Sequence, residues 1–550
     1  MKNRKCMSLF LIAIAITLAL ILPAGCGPTP QPADTPVPPA EEAATEAPAP
    51  TEPPSPTDTP EPEAAEPKIL IVRLYERIQT LDPAFVVGVY DSQVQNTVLN
   101  RLVSYDTGPD PREYELYNDL VESIEPSEDG LEITFKLREG VMWHRGYGEL
   151  TAEDVKFSYE RYLDEELDSP YADDWATLDH VEVIDKYTGK IILSEPFAPL
   201  WKTTLPIDSG HIISKKFAEE VGPEGLTNDM VGTGPYVLAK FEPTELVVVK
   251  RNPDYFGEQP YYDEIHFIPI DDDKAAEIAL EAGEVQFTRI SDASIQRFQD
   301  NPDYAVSTFP ALAYKWIGLN VENPKLEDPN VRQAIRYAVD VDSIVMATYM
   351  GAAEREYTMI PPGLTGHWAD APRYERDVEK AKEYLAKAGL ESLDLRIDIE
   401  DETEYRTWAE ILQQNLKEVG INLEVNPLDP GSFWEIGDGD QGKNVELYAI
   451  SYGMGPDPSW ATMWFLCNQV GVWNWNRWCN EEFDSLHQES VTTLDEETRH
   501  NIHVEMEKLV DESASFIWIT HGTSAFAYAP NVVPAFTPNG DVDFHRFSGE

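Results

Sequence analysis

The stretch "CNQVGVWNWNRWC", from Cys467 to Cys479, crowds two cysteines among the tryptophans Trp473, Trp475 and Trp478. The chemistry open to it is metal binding, redox exchange, catalysis or a structural cross-link. The pair is not spaced C-x-x-C, the nearest histidine is His487, and no second Cys or His pair accompanies it, so zinc is not expected. "HNIHVEME" places His500 and His503 on a charged helix, read as a solvated face rather than as metal ligands. His144, His211, His367 and His521 are scattered, and no metal site or cofactor is expected. No G-x-S-x-G elbow, H-E-x-x-H helix or G-x-x-x-x-G-K-[ST] loop is present. A glycosidase would need two carboxylates facing each other across a cleft. With 99 Asp and Glu a chance pair stays open, but no local pattern selects one. None of these motifs supports an enzyme, and an enzyme is not expected.

Against those acids stand 42 Lys and Arg, a net charge of −57. Nucleic acid and anionic lipid surfaces would be repelled, so neither is an expected partner. From Lys68 onward the chain is too long for one compact core and suits two or three lobes.

At the start, Lys2, Arg4 and Lys5 precede "SLFLIAIAITLALIL". That run is shorter than the roughly 20 residues of a membrane-spanning helix and reads as a signal peptide over 1–25. "LPAGC" resembles a bacterial lipobox ending at Cys26, with Pro23 where that pattern usually has leucine. A lipid on Cys26 would anchor the protein to the outer face of the cell membrane, and ordinary cleavage would release it. Residues 26–67 are Pro, Ala, Glu and Thr with almost no large apolar side chain, a disordered tether or spacer extending about 3.1 Å per residue where it is polyproline II. Cys6 leaves with the signal peptide and Cys26 takes lipid. Cys467 and Cys479 then remain as an even pair in an exported protein, and a disulfide is expected.

These chemistries need a scaffold. "KILIVRLY" reads as a strand, and a helix should begin near Asp91. In "GLEITFKLREGVMWH", Leu131, Ile133, Phe135 and Leu137 share one face of a strand. Thr151 and Asp154 set a capping-box start. "DHVEVIDKYTGKIIL" reads as a hairpin turning at Thr188-Gly189. "VRQAIRYAVDVDSIVMATYMG" is a helix pair. "DVEKAKEYLAKAGLESLDLRIDIE" and "TWAEILQQNLKEVGINLEV" repeat a helix, Gly, strand plan, giving an αβαβ lobe.

At "LDPAFVVGVYDS", "GLEITFKLREGVMWH", "LTAEDVKFS", "GTGPYVL", "RNPDYFG", "VRQAIRYAVD", "EKAKEYLAKAGL", "DPSW" and "EFDSLHQE", in that order, the chain resembles extracellular solute-binding proteins of family 5, the oligopeptide-binding type. The resemblance implies an α/β fold: a type II periplasmic-binding-protein-like Venus flytrap with two lobes and an inserted subdomain. Lobe I would be 68–312, with the insert near 107–205. Lobe II would be 313–518, and 519–550 would return to lobe I, with hinges near "KWIGLNV" and "FIWITHG". The implied function is the substrate-binding component of an ABC importer. Such a component captures a peptide or similar extended solute and hands it to permease and ATPase subunits. A monomer is expected. Oligosaccharide-binding and nickel-chelate-carrying members of the family are the alternatives.

The resemblance also implies a site. Val87, Gly88, Val89 and Tyr90 would lend main-chain hydrogen bonds to the ligand, and Tyr171 would be a pocket tyrosine. Ser451, Tyr452, Gly453 and Met454 would run beside the ligand, as in strand addition. Asp457, Trp434 and Trp460 complete the expected contacts, with Asp457 read first as the cap of the helix that begins at "PSW". Peptide binders of the family carry an aspartate a few residues before "DP" to pair with the peptide's ammonium. Counting back from Pro458 gives Met454 at that position, and counting forward from Tyr452 gives Gly455. Neither can neutralise an ammonium. Trp460 and Trp464 are four apart on an expected helix, so one at least should pack inward. Trp473 and Trp475 would share a face if extended.

Overall fold

Strand β1 (Ile69–Leu74) alternates little and is largely buried, as a central strand flanked by parallel neighbours must be. The computed structural model that contains it describes residues 66–75, 78–86, 92–109 and 114–549. The signal peptide, Cys26, nearly all of 26–67 and the contact stretch Val87–Tyr90 lie outside the described residues. After helix α1 (Ser92–Val98), the chain builds a four-stranded antiparallel sheet from β2 (Val121–Pro126), β3 (Glu132–Leu137), β4 (Leu178–Val183) and β5 (Thr188–Leu193). Their order is β2-β3-β5-β4. In β3, Ile133, Phe135 and Leu137 are buried and the residues between them are exposed, as the sequence alternation demands. Between β3 and β4, helix α2 (Ala152–Glu160) starts on the expected box, with the Thr151 amide donating to Asp154 Oδ2 at 2.9 Å.

The hairpin turn differs from expectation. It lies at Ile184–Tyr187, where the Asp185 side chain accepts from the amides of Tyr187 and Thr188. Thr188 and Gly189 already belong to β5. Gly189 is needed there because the Phe135 ring lies over it: a Cβ would meet Phe135 Cζ at 2.5 Å.

The chain then rejoins β1 with β6 (Tyr236–Glu242), β7 (Leu246–Arg251), β8 (Glu264–Pro269), β9 (Phe287–Arg289) and β10 (Ala305–Pro310). It crosses into a five-stranded sheet made by β11 (Ala313–Leu319), β12 (Leu393–Glu400), β13 (Ile421–Leu428), β14 (Leu447–Gly453) and β15 (Phe516–Thr520). It returns in β16 (Thr523–Tyr528). The first sheet is ordered β6-β7-β8-β1-β9-β16-β10 and the five-stranded sheet β13-β12-β14-β11-β15.

Helices α3 (Val378–Lys387) and α4 (Thr403–Glu418) precede β12 and β13. Gly389 and Gly420 follow them, both left-handed at φ 75° and 91°, where glycine carries no Cβ penalty. α4 buries Trp408, Leu412 and Leu416 against one face of the five-stranded sheet. The other face carries Tyr314, Trp316, Tyr448 and Phe516. It is covered by α5 (Ser459–Thr462), α6 (Glu481–Thr492) and α7 (Glu496–Ser513), which contribute Ala461, Phe483 and Met506. The first and four-stranded sheets share a separate core.

Two links join these bodies. Ala311-Leu312 connects β10 to β11, and His521-Gly522 connects β15 to β16. The first falls a few residues before the expected "KWIGLNV" and the second inside "FIWITHG". They touch, with the Ala311 amide donating to Gly522 O at 3.3 Å and His521 Nδ1 donating to Ala313 O at 2.8 Å. Gly522 takes φ 80°, a turn that a side chain would strain.

Candidate functional site

Strands β12, β13 and β14 run parallel, so Glu400, Leu428 and Gly453 end at one edge of their sheet. In the first sheet β1, β8 and β9 run parallel and end together likewise. The links leave β10 and enter β11 at these two edges. A cleft therefore opens between carboxyl edges, where open α/β sheets bind ligands.

On the five-stranded side, Ser451 is half-buried and Gly453 exposed, opposite Lys315 and Ala313 of β11. Tyr452 is buried and its hydroxyl donates to Trp473 O at 2.6 Å. Met454 is buried, its amide donating to Leu312 O at 2.9 Å. The Gly455 backbone lies against Thr203 of the other lobe, whose Cγ2 is 3.1 Å from where a Cβ would stand. No carboxylate occupies either position counted for the ammonium anchor.

Asp457 lies beyond the cleft surface. It is fully buried, and Arg499 Nη2 donates to both of its oxygens at 2.9 Å. It also accepts from the Ser459 amide at 3.0 Å, at the start of α5. Burial pushes its carboxyl up, but Arg499 and Ser459 outweigh burial and hold it below the usual carboxylate range. In this structure Asp457 fixes a helix start and offers nothing to a ligand. Beside it, His503 corrects the solvated-face reading of "HNIHVEME". It is fully buried, neither ring nitrogen has a protein partner, and burial pushes it down to about 3. His500 is half-buried, with Nδ1 accepting from the Gly366 amide at 3.0 Å.

The Trp-rich stretch is closed by the Cys467–Cys479 disulfide, with the Cα atoms 4.6 Å apart. It is not extended, so Trp473 and Trp475 do not share a face. Gly471 and Arg477 take positive φ, and the chain turns tightly between them. Trp475 is in the core, while Trp473 is 41% exposed beside Trp434 at 39%, their ring centroids 6.3 Å apart. Trp460 and Trp464 are both half-buried.

On the other wall, the Tyr171 hydroxyl donates to Val86 O, just ahead of residues 87–90, and lies 3.4 Å from Asp208 Oδ2. Asp208 lines a cavity of about 130 Å³ together with Ser92, Arg101, Tyr105 and Asp541 from its own lobe and Pro456 from the other. Arg101 donates to Ile207 O at 2.7 Å and lies 3.8 Å from Asp208. Burial nevertheless pushes Asp208 up to about 6 and raises Asp541. Sequence reasoning missed Arg101, Asp208 and Asp541. Each comes from a different segment, and only the fold brings them together.

The likenesses to known proteins agree with this architecture. Residues 115–476 match the family described as bacterial extracellular solute-binding proteins, family 5 Middle. Proteins of this family bind solutes for transport outside the cytoplasm and are not enzymes. The dipeptide-binding protein of Escherichia coli K12 is 28% identical over 453 residues, 77% of this chain and 83% of that one. The structure of HbpA2 from Haemophilus parasuis superposes with a TM-score of 0.77 at 26% identity, covering 88% of this chain and all of the other. A dipeptide-binding protein from Pseudoalteromonas in complex with Met-Leu gives 0.74 at 21%, with the same coverage, and shares the fold. The chain belongs to the bacterial extracellular solute-binding proteins of family 5.

Proposed function

We propose that the protein is the substrate-binding component of an ABC importer and captures an extended peptide or peptide-like solute between its lobes. Lobe I would span 68–312 and 519–550, with the insert at 107–205, and lobe II 313–518. The signal peptide, lipidated Cys26 and linker would tether a monomer outside the membrane, beside its permease and ATPase. The observation that carries this reading is the cleft between two carboxyl edges, in a chain whose relatives are named dipeptide-binding proteins. Main chain at 87–90 on one wall and Ser451–Gly453 on the other would pair with the ligand backbone, which explains tolerance of its side chains. Closure is coupled to the ligand only if contacts are better made in the closed state.

The ligand's amino end is where this chain should depart from its relatives. With Met454 and Gly455 at the anchor positions, a free ammonium gains no ion pair there, and an unpaired buried charge is costly. Calorimetry with two- to five-residue peptides, free or acetylated at the amino end, tests this. Saturable binding at one site is expected, with acetylation changing Kd by less than about tenfold, or 1.4 kcal/mol. Binding of oligosaccharides, which the exposed Trp434 and Trp473 would suit, with none of any peptide, would overturn the peptide reading.

A further inference from the structure

Besides the packing of Ala198–Trp201 on α6, three close contacts among the described residues join the inserted subdomain to the five-stranded lobe. Lys202 Nζ is 3.0 Å from Glu496 Oε1, at the first turn of α7, and donates to Thr365 Oγ1 at 3.1 Å. Thr365 in turn donates to Glu496 Oε2 at 2.8 Å. Next to Lys202, the Thr203 hydroxyl donates back to Pro199 O at 2.9 Å, which leaves its methyl group facing Gly455. At the tip of the β2–β3 hairpin, Gly130 takes φ +69° and lies under Leu494, whose Cδ1 is 2.5 Å from where a Cβ would stand. Leu494 sits in the short link between α6 and α7.

These contacts are built from behind. The Tyr105 hydroxyl of the lobe I body donates to Lys202 O at 2.6 Å, fixing the backbone that carries both Lys202 and Thr203. Glu496 lies 3.8 Å from Arg499, the partner of Asp457, so the pair adjoins the buried ion pair behind the "GPDP" segment. Gly130, at positive φ, receives Leu494 where a side chain would clash, and at Gly455 a Cβ would push Thr203 back by a few tenths of an ångström.

We propose that the inserted subdomain is a clamp: Lys202 on Glu496 and Thr365, Thr203 on Gly455 and Leu494 over Gly130 hold the lobes closed. The clamp follows from the two-lobed fold and needs no particular ligand. It also gives Gly455 a role: one of the two positions counted for the acid of the family's peptide binders is here a lobe-to-lobe contact.

Distance measurement between spin labels tests it. Labels at Glu165→Cys on the insert and Glu505→Cys on α7 would be read in the ligand-free chain. Cys6 and Cys26 are replaced by serine and the native disulfide is kept. Lys202→Glu should lower the ratio of short to long distances by about two- to fivefold, the scale of one partly exposed ion pair. The swap Lys202→Glu with Glu496→Lys should restore it, and added salt should shrink the effect. Gly455→Val should shift the distribution the same way by a steric route that salt does not touch. A ratio that Lys202→Glu and Gly455→Val both leave unchanged, or that the charge swap fails to restore, overturns the clamp. Because no ligand is present, failure of the peptide reading would leave this result legible.

Discussion

The walls of the cleft treat their charged groups in opposite ways. Behind the five-stranded wall, Asp457 and Arg499 are paired at full burial, His487 and His503 are held neutral beside them, and the Tyr452 hydroxyl is bonded inside its own lobe. On the lobe I wall, Arg101, Asp208 and Asp541 surround a void. Asp208 meets Arg101 only at 3.8 Å and Tyr171 only at 3.4 Å. On the five-stranded wall the Asp457–Arg499 pair is closed on itself, and His503 is buried and neutral without a protein partner. On the lobe I wall Asp208 and Asp541 have partners, Tyr171 for one and Asn539 Nδ2 at 2.8 Å for the other, but they border a space that another molecule can enter. Polar recognition should therefore fall mainly on lobe I side chains and on backbone from both lobes.

The largest expected effect breaks this contrast where it is strongest. Arg499→Met would strand the Asp457 carboxylate in the core, at a cost of about 3–5 kcal/mol. Arg101→Met removes hydrogen bonds beside a cavity where the carboxylate can regain solvent, and should cost about 1–3 kcal/mol. Urea unfolding of the two variants checks the order. Equal costs would mean that the walls do not differ.

Much of the scaffold was legible because local rules agreed with the final packing. The alternation of β3, the Thr151–Asp154 box and the glycines after α3 and α4 need no tertiary information. The hairpin turn was misplaced because Gly189 looks like a turn residue, and only the Phe135 ring shows that it is a packing glycine. The site was less legible for the same kind of reason. His503 looked solvated because its helix is rich in charge, yet its own position faces Asp457 and the core. Trp475 and Trp473, two residues apart, were split between core and surface by a turn that the disulfide closes. Arg101, Asp208 and Asp541 carry no motif, since their meeting is a property of topology.

Acid separates the walls by sign. His503 is held at about 3 by burial, below its unfolded value of about 6.5, so the unfolded chain binds more protons in that window. Its contribution is intact above pH 6.5 and is lost as pH falls toward 3, by about 1.4 kcal/mol per unit. Burial pushes Asp208 up to about 6, above its unfolded value, so its contribution grows as pH falls from 6 toward 4. Melting curves from pH 7 to 4 should show His503→Leu less acid-sensitive than the parent and Asp208→Asn more so. Matching slopes for the two variants would remove the distinction.

The smallest effect concerns two tyrosines, one on each wall, each donating a hydrogen bond to a backbone carbonyl. The Tyr171 hydroxyl reaches Val86 O within lobe I, one residue ahead of 87–90. The Tyr452 hydroxyl reaches Trp473 O, at the disulfide-closed loop. Replacing either by phenylalanine removes one bond worth about 0.5–1.5 kcal/mol. The cost should appear in different measurements. Tyr171→Phe should weaken ligand binding by about fivefold, because the freed Val86 carbonyl adjoins the segment that would pair with the ligand. Tyr452→Phe should lower thermal stability and leave Kd unchanged, because its bond is closed within one lobe whether or not a ligand is bound. If Tyr452→Phe weakened binding instead, the five-stranded wall would be a direct partner of the ligand side chains rather than a support for backbone pairing.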